Sequence, residues 1–85
     1  MKRYFKSECA SGQGEMGMGY LEFTDGEPTR QVEIYGETWV WGDESNAEHH
    51  LLDQPLDAMD FSREMEIEAE EFERLWEEAR RRWSP

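Results

Sequence analysis

The sequence predicts an α+β fold: a three- to four-stranded antiparallel β-meander packed against one C-terminal α-helix. Three observations predict it. Apolar and polar residues alternate in four short runs before residue 43. Two of the connections between those runs, Asp25-Gly26-Glu27-Pro28 and Gly36-Glu37, are turn sequences. Residues 67–83 instead repeat apolar side chains at helical spacing, at Phe72, Leu75, Trp76, Ala79 and Trp83.

The first expected strand is residues 3–9, with Phe5, Ser7 and Cys9 on one face. A glycine-rich connection, residues 10–17, leads to a second strand at 18–24, where Leu21 and Phe23 alternate with Tyr20 and Glu22. The third strand is 29–35, with Val32 and Ile34 inward, and the fourth is 38–42. A two-residue loop at Gly36-Glu37, of type II′ with a positive φ at Gly36, sets Ile34 opposite Trp39 and Val32 opposite Trp41. A four-residue loop over 25–28 would set Leu21 opposite Val32. Opposite residues share a face. These registers gather Leu21, Phe23, Val32, Ile34, Trp39 and Trp41 on the side expected to seat the helix. Residues 43–66 show no period, and Pro55 breaks any single helix there, so an extended cover with one short helical turn is expected.

The final helix is polarised at its ends. Glu68, Glu70, Glu71 and Glu73 open it and Arg80, Arg81 and Arg82 close it, which complements the helix dipole. Ile67 and Phe72 stand where a hydrophobic staple would bracket an N-cap at Glu68. Glu70–Arg74, Glu77–Arg81 and Glu78–Arg82 are i,i+4 pairs in the favoured order.

Eighty-five residues suffice for one domain with one core, which 4 Trp, 4 Phe and 3 Tyr can fill. One cysteine excludes an internal disulfide and fits a reducing compartment. No apolar h-region follows the first basic residues and no run approaches a membrane span, so a cytoplasmic protein is expected. The net charge of −12 is uneven: residues 43–73 hold twelve acidic groups against the lone Arg63. Such a field repels nucleic acid and anionic lipid and steers cationic partners.

The motifs of enzymes fail on context. Gly12-Gln-Gly-Glu-Met-Gly17 has the spacing of a dinucleotide fingerprint, but a strand follows it where a helix is needed, and Glu15 sits where a pyrophosphate would lie. His49 and His50 are adjacent and diverge, and His49 with Asp53 makes only two ligands. Residues 43–46 lack the glycine and terminal glutamate of a calcium loop. No cofactor, metal or catalytic residue is expected.

Two candidate interfaces remain. The first is the acidic stretch, with Asp43, Glu44, Glu48, Asp53, Asp57, Asp60, Glu64 and Glu66 as its partner-binding carboxylates. The second is the sheet face away from the helix, where the expected register places Tyr20, Glu33, Tyr35 and Val40 together. That face would also serve a homodimer.

Arg30-Gln-Val-Glu33, Tyr35-Gly36, the two tryptophans of the fourth strand, Gln54-Pro-Leu56 and the helix Glu70-Glu-Phe-Glu73 with Trp76 and Ala79 form a pattern across most of the chain. It resembles a group of small acidic bacterial proteins found mainly in cyanobacteria. The resemblance implies a shared fold and brings no activity with it. The general look is similar to bacterial immunity proteins and phage-encoded inhibitors, by analogy alone. The expected function is therefore binding, with no catalysis. A basic, nucleic-acid-handling protein would be held and inhibited by the acidic surface. The alternative is a non-catalytic ligand-binding or regulatory module.

Overall fold

A computed structural model describes residues 1–10, 13–43, 56 and 61–82. Four long strands, β1 (Lys2–Ala10), β2 (Met16–Thr24), β3 (Glu27–Tyr35) and β4 (Thr38–Asp43), run antiparallel as a meander. A 3-10 turn at Arg63–Met65 leads into the two-residue β5 (Glu66–Ile67), which pairs with Tyr4 and Phe5 on β1 and gives the sheet order β4-β3-β2-β1-β5. The helix α1 (Ala69–Arg82) follows directly and packs on the sheet.

The β3–β4 hairpin forms in the expected register, with Ile34 opposite Trp39 and Val32 opposite Trp41. Gly36 has φ 62, the left-handed value its turn requires. The β2–β3 hairpin differs from expectation. Its loop is only Asp25-Gly26, at φ 52 and 86, so Thr24 pairs with Glu27. These are the two positive φ values of a type I′ turn, for which Asp-Gly is a favoured pair. The ladder then shifts by one residue: Phe23 faces Pro28 but Glu22 faces Arg30, which leaves Thr29 as a bulge. Beyond it Tyr20 faces Val32 and Leu21 faces Gln31. That is one residue away from the expected pairing, and a one-residue slip turns every β2 side chain to the other face.

Both sheet faces therefore carry a core. On the helix side, Tyr4, Val32, Phe72, Trp76 and Ala79 are buried together, with Tyr20, Ile34, Trp39, Trp41 and Ile67 packed around them. Trp41 meets Trp76 edge-to-face at 5.3 Å, and Tyr4 meets Phe72 at 5.2 Å. On the other side, Phe5, Leu21 and Phe23 are buried under Leu56, Phe61 and Met65. Phe61 stacks on Phe5 at 4.8 Å. Leu21 and Phe23, expected under the helix, belong to this second core.

The helix begins as its sequence predicts. Phe72 N–H donates to Glu68 O at 3.2 Å, so Glu68 occupies the cap position and Ile67 and Phe72 bracket it within one cluster. Phe72, Trp76 and Ala79 form the buried stripe. At the far end Glu78 accepts from Arg81 at 2.8 Å and from Arg82 at 2.7 Å. Trp83 lies outside the described residues.

One ionic cluster ties helix to sheet. Glu22, 1% exposed, accepts from Arg30 Nε at 2.9 Å, from Arg30 Nη2, and from the hydroxyl of Thr29 at 2.7 Å. Arg30 also reaches Glu73 on the helix, at 3.0 Å and 2.5 Å, and its guanidinium lies about 5 Å over the rings of both Phe72 and Trp76. Burial pushes the Glu22 carboxyl up, but hydrogen bonds from Arg30 and Thr29 and the charges of Arg30 and Lys2 outweigh it, holding the group below its ordinary value.

Two tests follow from this packing. Trp76→Ala empties an indole site between helix and sheet, so equilibrium denaturation should show a loss of about 3–5 kcal/mol. For Glu22 the folded pKa is depressed, so its stabilisation is fully present above the unfolded value of about 4.3 and is lost as pH falls through the folded value. Glu22→Gln should be less stable than wild type at pH 7 and should show a shallower loss of stability in acid, measured as denaturation midpoint against pH.

Candidate functional site

The acidic stretch is described only in part. Glu44, Glu48, Asp53, Asp57 and Asp60 lie outside the described residues, as do His49, His50 and Gly12. Asp43 ends β4 half-buried, opposite Arg30 in the ladder. Glu66 pairs with Arg3, accepting from Nε at 3.2 Å and Nη2 at 3.1 Å, which holds the two-residue β5 against β1. Its carboxyl is lowered by the Arg3 hydrogen bond and charge. Of the eight proposed contact carboxylates, only Glu64 is an exposed group placed among the described residues with no element to brace.

Further carboxylates lie at the helix. Glu68, Glu70 and Glu77 are exposed on or just before α1. Of the nearby cations, Arg63 and Arg74 are exposed among these carboxylates, whereas Arg30, Arg80 and Arg82 are drawn inward or sideways. Arg30 is half-buried between Glu22 and Glu73, Arg80 lies 5.5 Å over Trp41, and Arg82 lies 4.8 Å over Trp39 while it also donates to Glu78. Arg30 and Arg82 are thus paired at close range, while exposed carboxylates project from the turn before α1 and from its outer side.

The second proposed interface is split between the two faces. Glu33, Tyr35 and Val40 share the face away from the helix, as expected, with Val40 directly opposite Glu33. Tyr20 does not join them. It pairs with Val32 and packs on the helix-side core, because the bulge at Thr29 shifts β2 by one residue. Burial and the Glu71 charge raise its phenol.

What Glu33 and Tyr35 join instead is a hydrogen-bonded row. The Tyr35 hydroxyl donates to one Glu33 oxygen, and Gln31 Nε2 donates to the other at 2.6 Å. The Cys9 thiol donates to the same hydroxyl at 3.5 Å. Tyr35 is buried, with its ring against Gly17. A Cβ at Gly17 would lie 2.6 Å from Tyr35 Cδ1 and 2.2 Å from the Ile34 carbonyl oxygen, so only glycine fits. Beside this row a cavity of about 200 Å³ is lined by Ser7, Glu8, Cys9, Gly19, Leu21, Gln31, Glu33 and Phe61. The sequence carries a signal for this hollow that apolar periodicity does not register. Gly17 and Gly19 are two apart on a strand, and such a pair leaves one face without side chains.

Among the described residues no three His, Cys, Asp or Glu side chains gather as a metal site. No described helix is long and apolar enough to cross a membrane. No family model, curated protein or solved structure matches the chain.

The tyrosines offer a direct probe of this geometry. Burial raises Tyr35, and the hydrogen bond its hydroxyl donates to Glu33 adds to it; Tyr4 is raised by burial and by Glu22, and Tyr20 by burial and Glu71. A raised folded pKa stabilises fully below the unfolded value of about 10 and is lost as pH rises toward the folded value. Absorbance titration of the native protein should therefore show all three phenols ionising above 10, with alkaline unfolding at the end. Tyr35→Phe should remove one of these raised transitions; a Tyr35 that titrates near 10 would show the row does not exist.

Proposed function

We propose that this protein binds a basic macromolecular partner, a protein that itself handles nucleic acid, and occupies its cationic surface in the manner of an inhibitor or immunity protein. The observation that carries this reading is the distribution of charge around α1. Glu64, Glu68, Glu70 and Glu77 are exposed, with Arg63, Arg74 and Arg80 exposed beside them, while Arg3, Arg30, Arg81 and Arg82 are bound by the protein's own carboxylates. The resulting field adds to the acidic groups of residues 43–60 and belongs to a net charge of −12. Carboxylates on a folded frame stand where phosphates would on a cationic groove, and they attract the same lysines and arginines. The frame also fits a binding role. Its helix is clamped by Arg30, so the outer carboxylates need little ordering on docking.

Association with a partner isolated from the source cell tests this. Raising salt from low to high ionic strength should slow the on-rate by about ten- to a thousandfold, with a smaller change in dissociation. Glu64, Glu68, Glu70 and Glu77 changed together to Gln should weaken binding at low salt while the circular dichroism spectrum is retained. A partner whose association is indifferent to salt and to these four changes would show that the acidic charge serves solubility.

A further inference from the structure

Gly19 is a residue that the fold does not need as glycine. It lies inside β2, opposite Ser7 on one side and Glu33 on the other, and its φ is outside the left-handed region. A Cβ built there would sit 3.7 Å from Cys9 Sγ and from the Ser7 carbonyl oxygen, an ordinary contact. Gly17, two residues earlier, is different, since Tyr35 and the Ile34 carbonyl fill its space. A strand-interior glycine costs roughly 0.5–1 kcal/mol relative to alanine, and where packing does not demand it, it marks close approach by something else. Here its missing side chain is the floor of the cavity.

The chemistry of that cavity is one-sided. Its described lining contains two carboxylates, Glu8 and Glu33, and no lysine or arginine. Glu33 is held in place by Tyr35 and Gln31, and each of its oxygens keeps a second acceptor site. Leu21 and Cys9 give an apolar wall, and Phe61 gives an aromatic one. At about 200 Å³ the space is below the range of roughly 300–1,000 Å³ typical of sites for whole organic ligands, and suits a side chain. A fixed carboxylate, an aromatic ring and an apolar slot together select a cationic head on an alkyl stem.

We infer that the cavity over Gly19 is a socket for one arginine or lysine side chain of the basic partner, with Glu33 as its carboxylate. The inference rests on the proposed function for the identity of its occupant and on the cavity alone for its chemistry. Steering by the outer carboxylates and seating in the socket are then separate steps of docking.

The full-length chain, labelled for amide NMR, should be titrated with N-acetyl-arginine amide, its neutral isostere N-acetyl-citrulline amide, and putrescine. Saturable shifts centred on Ser7, Gly19 and Glu33 are expected with the arginine amide, with affinity at least about tenfold above that of the citrulline amide. Glu33→Gln, which keeps an oxygen for Tyr35, should weaken the arginine amide by a similar factor. Gly19→Val should abolish it with the spectrum otherwise folded. Equal binding of the neutral isostere, unchanged affinity in Glu33→Gln, or shifts centred on Glu70 and Glu77 would overturn the socket, as would the absence of any saturable shift. Tighter binding of putrescine than of the arginine amide would overturn the side-chain occupant in favour of a free amine. Because these probes are small molecules, failure of the socket and failure of the acidic surface to hold a partner read out separately.

Discussion

The guanidinium of Arg30 is the contact on which the architecture depends. It accepts a costly environment, against two aromatic rings and partly out of water, because carboxylates meet it on two sides. One of these, Glu22, comes from the sheet, and the other, Glu73, from the helix. A buried ion pair contributes net stability only when its hydrogen bonds are nearly complete, and removing either partner leaves the other uncompensated. The Thr29 hydroxyl and the approach of Lys2, at 3.8 Å, complete the satisfaction of Glu22. The cluster thereby fixes both where α1 crosses the sheet and which residue of β3 faces β2.

That second point explains how much of the fold could be read from the chain. The helix and its buried stripe were legible because they depend on local spacing. The β3–β4 hairpin was legible because Gly36-Glu37 admits one short loop, and register follows from loop length. The β2–β3 register was not. Asp25-Gly26 closes as a two-residue turn, and the bulge at Thr29 then alters the count again. Alternation of Leu21 and Phe23 looks the same whichever face they point to. The deciding interaction is Glu22 with Arg30, a pairing of polar residues that a hydrophobic pattern gives no weight.

The site inherited the same uncertainty. Glu33 and Tyr35 stand two apart on one strand, so their shared face was evident without any register. Tyr20 is on the neighbouring strand, and its assignment failed with the register. The cavity required knowing that Gly19 sits between Ser7 and Glu33, a cross-strand fact. A meander of this size with apolar clusters on both faces also leaves little idle surface. Among the described residues its second core is three buried side chains under Leu56, Phe61 and Met65, and the socket lies beside them.

One edge of the sheet has a further consequence. The short β5 covers β1 only at Tyr4 and Phe5, so among the described residues the backbone from Lys6 to Ala10 has no neighbouring strand on its outer side. An open edge is a template on which a second copy can add as another strand. Two copies of a chain this acidic repel one another as they approach, and that repulsion guards the edge as long as it is unscreened. Ionic strength would then act in opposite directions on self-association and on the proposed binding of a basic partner: the salt that would loosen such a partner also lowers the barrier between like copies.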